Sequence, residues 1–94
     1  MKPIVFDAAA MLVQLPGGGI LSLSNPEYLI LAKLTDARGA PVRSAILEQE
    51  VSGGQLMRTT IWRLRKKLGE DRIHNVCGHG YALAGGFRAR RLGA

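Results

Sequence analysis

Cysteine is nearly absent from this sequence: only one of its 94 residues is a cysteine. A single cysteine cannot form an intramolecular disulfide, so a reducing cytoplasm is the simplest location for the chain. Long apolar runs are also missing, because no segment approaches the roughly 20 apolar residues that a membrane-spanning helix needs. The N-terminus lacks the basic region and long apolar stretch of a signal peptide. These absences exclude a disulfide scaffold and predict no contact with a membrane.

The chain is too short for more than one domain of ordinary size. A folded chain of 94 residues buries only about 60–65% of the surface that the unfolded chain exposes. A two-domain protein, a dinucleotide-binding unit with a partner domain and a barrel enzyme are therefore excluded. The hydrophobic fraction of 47% is typical of a folded chain rather than a disordered one.

Acidic residues are scarce, and the resulting imbalance of charge is confined to one half of the chain. Seven Asp and Glu stand against 13 Lys and Arg, which gives a net charge of +6. Residues 1–55 carry a net charge of −1 and residues 56–72 carry +4, while Arg88, Arg90 and Arg91 add +3. Such a basic segment indicates an anionic partner, with nucleic acid as the first candidate. A solvated helix face with a solubilising tail is the alternative.

Turn and cap signals divide the chain into short elements. Glycines at 17–19 predict a turn within an antiparallel meander. The sequence Ser-Asn-Pro-Glu at 24–27 predicts the start of a helix, with Ser24 or Asn25 as its cap, and Ser44 is the predicted cap of the next helix. The predicted elements are strands near 4–6, 11–15 and 20–23, helices near 25–38, 44–51 and 56–68, and a hairpin over 73–83.

The third predicted helix has one apolar edge and an opposite polar edge. Its apolar residues recur at helical spacing and share one narrow face: Met57, Ile61, Leu64 and Leu68. A short helix of this kind is suited to the DNA major groove, where Arg, Lys, Gln and Thr side chains can bind base edges. The residues predicted to read bases are Gln55, Thr59, Trp62, Arg63 and Lys66. The residues predicted to bind phosphates are Arg43, Arg58, Arg65, Lys67 and Arg72.

Four segments of the chain, taken in order, resemble one protein family. They are LSNPEYLIL at 23–31, GAPV at 39–42, IWRLRKKLG at 61–69 and IHNVCGHGYAL at 73–83. These segments are similar to the patterns L-T-x-x-E-(F/Y)-x-L-L, G-x-x-V, I-x-x-L-R-x-K-L and I-x-T-V-R-G-x-G-Y-x-L. Those patterns are typical of the DNA-binding effector domains of OmpR/PhoB-type response regulators. The resemblance covers nearly the whole chain.

The resemblance implies an α+β fold, a winged helix-turn-helix with a small N-terminal antiparallel sheet, three helices and a C-terminal β-hairpin wing. The helix at 56–68 would be the recognition helix in the major groove, and the hairpin at 73–83 would be the wing, with His79 at its tip. The implied function is sequence-specific binding of double-stranded DNA to regulate transcription, without enzymatic activity or a cofactor. The implied partners are a second copy bound in tandem on DNA and RNA polymerase. The expected location is the cytoplasm, on the nucleoid.

The sequence departs from the family in three respects. No receiver domain precedes the effector segment, so we expect either a free-standing small protein or a domain excised from a longer one. The loop after the second helix is short, with Ser52 where the family has Trp, which favours a repressor, competitor or architectural role. Cys77 stands where the family often has a minor-groove Arg, and His79 is a weaker replacement. We expect a DNA-binding domain over 1–86 and a basic flexible tail over 87–94 that holds phosphates.

Other interpretations of single residues remain open at this point. Cys77 lies between His74 and His79, but a zinc site lacks an evident fourth ligand and a catalytic Cys-His pair lacks an orienting group. A half-buried hairpin cysteine is favoured instead. Trp62 packs against the hairpin or the N-terminal sheet, or it contacts DNA or a protein partner. The rival functions are a protein-interaction module that docks on RNA polymerase or a full-length regulator, and a general nucleoid or RNA binder.

Overall fold

Residues 5–7, 10–15, 18–84 and 88–90 are described by the computed structural model, the last three by their backbone alone. The strands are β1 (Val5–Asp7), β2 (Leu12–Gln14), β3 (Ile20–Ser22), β4 (Ile73–Val76), β5 (Gly80–Leu83) and β6 (Arg88–Arg90). The helices are α1 (Asn25–Asp36), α2 (Ser44–Val51) and α3 (Gly54–Leu68), and a 3-10 turn spans Glu70–Arg72. This arrangement confirms the predicted α+β winged helix-turn-helix. Within the described ranges, none of these helices is long and apolar enough to cross a membrane.

The N-terminal strands form a sheet in the order β3-β2-β1-β6. The first three strands are antiparallel, as predicted, and Phe6 and Val13 are fully buried beneath them. β6 adds a fourth strand that lies parallel to β1, in a register that pairs Val5 with Arg88. The sequence predicts no strand there, because three residues are too few for a recognisable alternation. The predicted boundary between a DNA-binding domain over 1–86 and a basic tail over 87–94 stays a prediction.

A capping box begins α1. The N-cap is Ser24, one of the two predicted caps: its hydroxyl accepts the backbone N–H of Glu27, and the Glu27 carboxylate accepts the backbone N–H of Ser24 at 2.7 Å. Ile30, Leu31 and Leu34 form the buried face of the helix. Glu27 is itself only 2% exposed, so the capping box places a carboxylate at the inner edge of α1.

A two-residue reversal joins α2 to α3. Ser52 ends α2 with a φ of 64°, and Gly53 precedes α3 with a φ of 145°. Because glycine adopts such positive φ values readily, α3 begins at Gly54, two residues before its predicted start. At the other end of α2 the N-cap is Arg43 rather than the predicted Ser44, and no side chain caps this helix. Arg43 therefore stands at the exposed start of α2.

The apolar edge of α3 packs into the hydrophobic core, as predicted. Met57, Ile61, Leu64 and Leu68 are each at most 7% exposed. They belong to the same core cluster as the buried residues of α1 and of the N-terminal sheet. Burial of one edge leaves the opposite edge of α3 at the surface.

The β4–β5 hairpin follows α3 and is anchored at its base. Its strands are antiparallel, with Asn75 opposite Tyr81. The backbone of Tyr81 exchanges two hydrogen bonds with Val42, at 2.7 and 3.0 Å. The β5 side of the hairpin is thereby attached to the link between α1 and α2.

Candidate nucleic-acid interface

The face of α3 opposite its buried edge is polar and accessible. Its members, called the outward face below, are Gln55, Thr59, Trp62, Arg63 and Lys66. Four of them are exposed, and Thr59 is half-buried. They lie together because residues three or four apart share a helix face. The structure thus brings onto one surface all five residues that the sequence predicts to read bases.

Trp62 lies uncovered in the middle of the outward face. It is 59% exposed, so it is not packed under the hairpin or against the N-terminal sheet. The Lys66 ammonium lies 5.4 Å from the centre of the indole ring, within range of a cation–π interaction, and 2.9 Å from the Glu70 carboxylate. Both contacts of Lys66 are at the surface and leave most of the indole open to a partner.

Two arginines outside the outward face are also exposed. Arg58 lies one turn before Trp62 on α3, and Arg43 stands at the N-cap of α2. Neither has an ion-pair partner within the part of the chain that the structure describes. Their positive charges are therefore available to an anion.

The half-buried side chain of Arg65 is directed toward the hairpin. Its Nε donates to the carbonyl of Ile73 at 3.0 Å, and its Nη2 donates to Oδ1 of Asn75 at 2.8 Å. The guanidinium carbon also lies 5.8 Å from the centre of the Tyr81 ring. The phosphate contact predicted for Arg65 stays a prediction, but the side chain has three partners inside the protein.

Lys67 is held within the protein on the opposite flank of α3. Its ammonium donates to Glu27 Oε1 at 2.8 Å and to the carbonyl of Ser22 at 3.0 Å. Burial by itself raises the pKa of Glu27, but the hydrogen bonds from Lys67 and Ser24 outweigh burial and hold this pKa below its ordinary value of 4.5. Lys67 thereby joins the C-terminal half of α3 to α1 and β3, and its predicted phosphate contact stays untested.

The role of Glu27 in this contact is missing from the sequence interpretation. The spacing Ser-x-x-Glu is a signal for the capping box, and it could have identified the bond to Ser24. No local signal identifies the bond to Lys67, because that partner lies 40 residues further along the chain.

Arg72, one of the residues predicted to bind phosphate, is buried. It is 9% exposed, and its position at the end of the 3-10 turn explains why. Its backbone carbonyl accepts the N–H of Ala84, which closes this turn against the end of β5. The phosphate contact predicted for Arg72 stays a prediction.

The tip of the hairpin carries the predicted wing residue and the single cysteine. His79 is exposed, and Cys77 is a free, exposed thiol rather than the predicted half-buried one, because the turn projects from the core. An open cleft of about 440 Å³ separates the tip from Arg43 and Ser44 at the start of α2. Within the described ranges, no group of His, Cys, Asp or Glu side chains could hold a metal ion.

The polar helix face, the hairpin beside it and the N-terminal sheet define a winged-helix DNA-binding domain. The model of a family described as "Transcriptional regulatory protein, C terminal" matches residues 18–83. The chain belongs to this family, which confirms the resemblance to OmpR/PhoB-type effector domains. Proteins of this family are DNA-binding regulators of transcription and are typically not enzymes.

Comparison with a curated relative and with solved structures agrees with this assignment. The chain is 37% identical over 70 residues to the swarming motility regulation protein RssB of Serratia marcescens, a match that covers 68% of the chain and 32% of RssB. The chain thus spans about a third of this relative.

Two solved DNA-binding domains are similar in structure. The response regulator AdeR DNA-binding domain, crystallised in complex with an intercistronic region, superposes with a TM-score of 0.74 at 26% identity, over 88% of this chain and 95% of that one. The DNA-binding domain of Bacillus subtilis CssR gives a TM-score of 0.69 at 23% identity, over 81% of this chain and 93% of that one. The similarity to CssR shows a shared fold and nothing more.

Proposed function

We propose that this protein binds double-stranded DNA at specific sequences and thereby regulates transcription in the cytoplasm, on the nucleoid. α3 would lie in the major groove, and the β4–β5 hairpin would be the wing that reaches the adjacent minor groove. The observation that carries this proposal is the outward face, a polar and accessible surface opposite the buried edge of one short helix. Side chains of this type match the hydrogen-bonding groups of base edges.

The residues divide into base contacts and phosphate contacts. The base contacts would come from the outward face, with Arg63 as the residue able to make a bidentate bond to guanine O6 and N7. The phosphate contacts would come from the exposed Arg43 and Arg58. His79, at the tip of the wing, would contact the adjacent minor groove. Binding as two copies on a direct repeat is part of the proposal and rests on the family resemblance.

Selection of bound DNA from a random pool, followed by a salt titration on the selected site, tests this function. We expect one recurring sequence motif. The exposed cations that the proposal assigns to DNA are Arg43, Arg58, Arg63 and Lys66, so if each displaces a counterion, log K should fall with log salt with a slope of about −3 to −4. Five phosphate contacts would give about −4 to −5. Binding without any recovered motif would support a general nucleoid or RNA binder instead.

Replacement of Arg63 should relax sequence preference. Arg63→Ala removes the proposed bidentate donor, so the affinity for the selected site should fall by about 1–3 kcal/mol. The affinity for unrelated DNA should fall much less. The measurement is a pair of binding titrations, with Arg38→Ala as the control, because Arg38 is an exposed arginine in the turn after α1. Equal losses on both DNAs would contradict base reading by Arg63.

A second candidate function is supported by the exposure of Trp62. A large apolar side chain at a surface is typical of a contact with a protein partner, here RNA polymerase or a full-length regulator. Trp62→Ala discriminates the two functions. We expect an affinity loss for the selected DNA of about tenfold, equivalent to about 1.4 kcal/mol.

The matched control is Ile20→Ala, since Ile20 is 64% exposed but lies on the N-terminal sheet. It should bind DNA as the wild type does. Unchanged DNA affinity of Trp62→Ala, together with lost binding to purified RNA polymerase, would favour the interaction module over the DNA interface.

A further inference from the structure

The contacts of Arg65 connect α3 to both strands of the hairpin. Ile73 and Asn75, which accept its hydrogen bonds, belong to β4, and Tyr81, which lies against the guanidinium, belongs to β5. Asn75 and Tyr81 are opposite each other in the hairpin ladder. One side chain from the last turn of α3 therefore contacts the hairpin at three points.

The hairpin is attached to the rest of the protein on two sides. On the β5 side, the backbone of Tyr81 is bonded in both directions to Val42. On the β4 side, the described side-chain hydrogen bonds to α3 come from Arg65. The base of β4 is also fixed, because Ile73 is buried in the core. Arg65 adds a contact beyond this base, at Asn75, and thereby restrains the angle of the hairpin.

The chemistry of these contacts requires an arginine. Nε and Nη2 donate along fixed directions of a planar guanidinium, which matches two acceptors two residues apart on one strand. The same plane also lies against an aromatic ring. A lysine keeps the positive charge but offers neither the two fixed donors nor the planar surface.

We propose that Arg65 is a positioning residue, which sets the angle of the wing relative to α3 so that both can enter adjacent grooves, and that it is not a phosphate ligand. This inference rests on the proposed function. A phosphate ligand acts through its charge and its bond to the DNA and does not need Asn75, whereas a positioning residue acts through Asn75. The two roles therefore differ in what Asn75→Ala does to affinity and in what loss of the Arg65 charge does to the salt slope.

The first arm of the test uses the free protein, without DNA. A nitroxide attached to Cys77, the single cysteine, reports the motion of the exposed hairpin tip by electron paramagnetic resonance. We expect faster motion of the label in Arg65→Lys and in Asn75→Ala than in the wild type. Arg63→Lys is the control on the same helix and should leave the spectrum unchanged. Unchanged spectra in both Arg65→Lys and Asn75→Ala would overturn the proposal.

The second arm measures affinity for the selected DNA site. Both variants should lose about three- to tenfold in affinity, up to the 1.4 kcal/mol that one factor of ten represents. The salt slope should stay that of the wild type, because neither variant removes a charge. Minor-groove protection under the wing should weaken, while major-groove protection under α3 persists.

A phosphate-binding role for Arg65 would give a different set of affinities and salt slopes. If Arg65 bound a phosphate, Asn75→Ala would keep wild-type affinity, and Arg65→Met would lower the magnitude of the salt slope by about 0.9. That result would overturn the positioning role. Failure of the wild type to select any DNA would refute the proposed function, and the spectra of the labelled free protein would still decide whether Arg65 fixes the hairpin.

Discussion

Gly80→Ala should strongly destabilise the protein. Gly80 begins β5 with a φ of 119°, and a Cβ there would overlap the carbonyl oxygen of Val42 and lie 3.0 Å from the Cα of Arg43. Both neighbours are backbone, so neither can rotate away. The protein could accept the methyl group only by breaking the two hydrogen bonds between Val42 and Tyr81.

The expected loss combines two effects. Backbone strain at a positive φ costs about 1–3 kcal/mol, and each lost hydrogen bond costs about 1 kcal/mol. The free energy of unfolding should therefore fall by roughly 3–5 kcal/mol, and Tm by about 15 °C or more for a domain of this size. Thermal unfolding followed by circular dichroism measures both quantities.

Gly78→Ala is the matched control within the same turn. Gly78 also has a positive φ, of 77°, but nothing lies within 4 Å of the position its Cβ would take. Only the strain of the left-handed region remains, about 1–2 kcal/mol. A loss of stability in Gly80→Ala no larger than that in Gly78→Ala would show that the close approach of Val42 does not constrain the hairpin.

Lys67→Ala should also destabilise the fold strongly, and more than any other replacement of a lysine whose contacts are described. The Glu27 side chain is 3% exposed and that of Lys67 is 35% exposed, and Oε2 of Glu27 has no hydrogen-bond partner among the described residues. Removal of the ammonium leaves a buried carboxylate without its counter-charge. The expected loss is about 3 kcal/mol, the low end of the range for a broken buried pair, because solvent reaches Lys67.

Two further variants separate the lost charge pair from lost packing. Lys66→Ala, which removes the exposed ion pair with Glu70, should leave the unfolding transition nearly unchanged. Glu27→Gln combined with Lys67→Met removes both charges and should recover much of the loss. Urea unfolding of these proteins gives the comparison, and a double variant as unstable as Lys67→Ala would contradict an origin in uncompensated charge.

The same carboxylate gives the stability a dependence on pH. The pKa of Glu27 is below 4.5 in the folded protein and at its ordinary value in the unfolded chain. The unfolded chain then binds more protons between these two values, so the stability from the pair is complete above pH 4.5 and is lost as the pH falls through the folded-state pKa. Lys67→Ala should have a flatter profile over that interval.

The elements near α3 were predictable because their signals are local. The spacing of Met57, Ile61, Leu64 and Leu68 requires a helix with one buried edge, and a helix has only one opposite face. The outward position of Arg63 therefore follows from the sequence, whereas the structure was needed to show that Trp62 is not covered by the hairpin or the N-terminal sheet. The strand β6 has no comparable signal, since three residues at Arg88–Arg90 become a strand only through pairing with β1.

The cations on the two flanks of α3 could not be assigned in the same way. Periodicity gives the angle of Arg65 and Lys67 around the helix axis, and both angles are compatible with phosphate contacts. Their actual partners include Asn75, 10 residues away, and Glu27, 40 residues away. Neither separation leaves a pattern in the sequence.

The sequence by itself determined the family, the order of elements and the face of α3 that points outward, because caps, turns and helical spacing act within a few residues. The tertiary structure alone decided which cations already have partners within the protein. Packing of α3 against α1 and the hairpin engages Lys67 and Arg65 in internal hydrogen bonds and buries Arg72. The positive charge that the sequence assigns to one basic segment is therefore divided between an outward surface and the interior contacts that hold that surface in place.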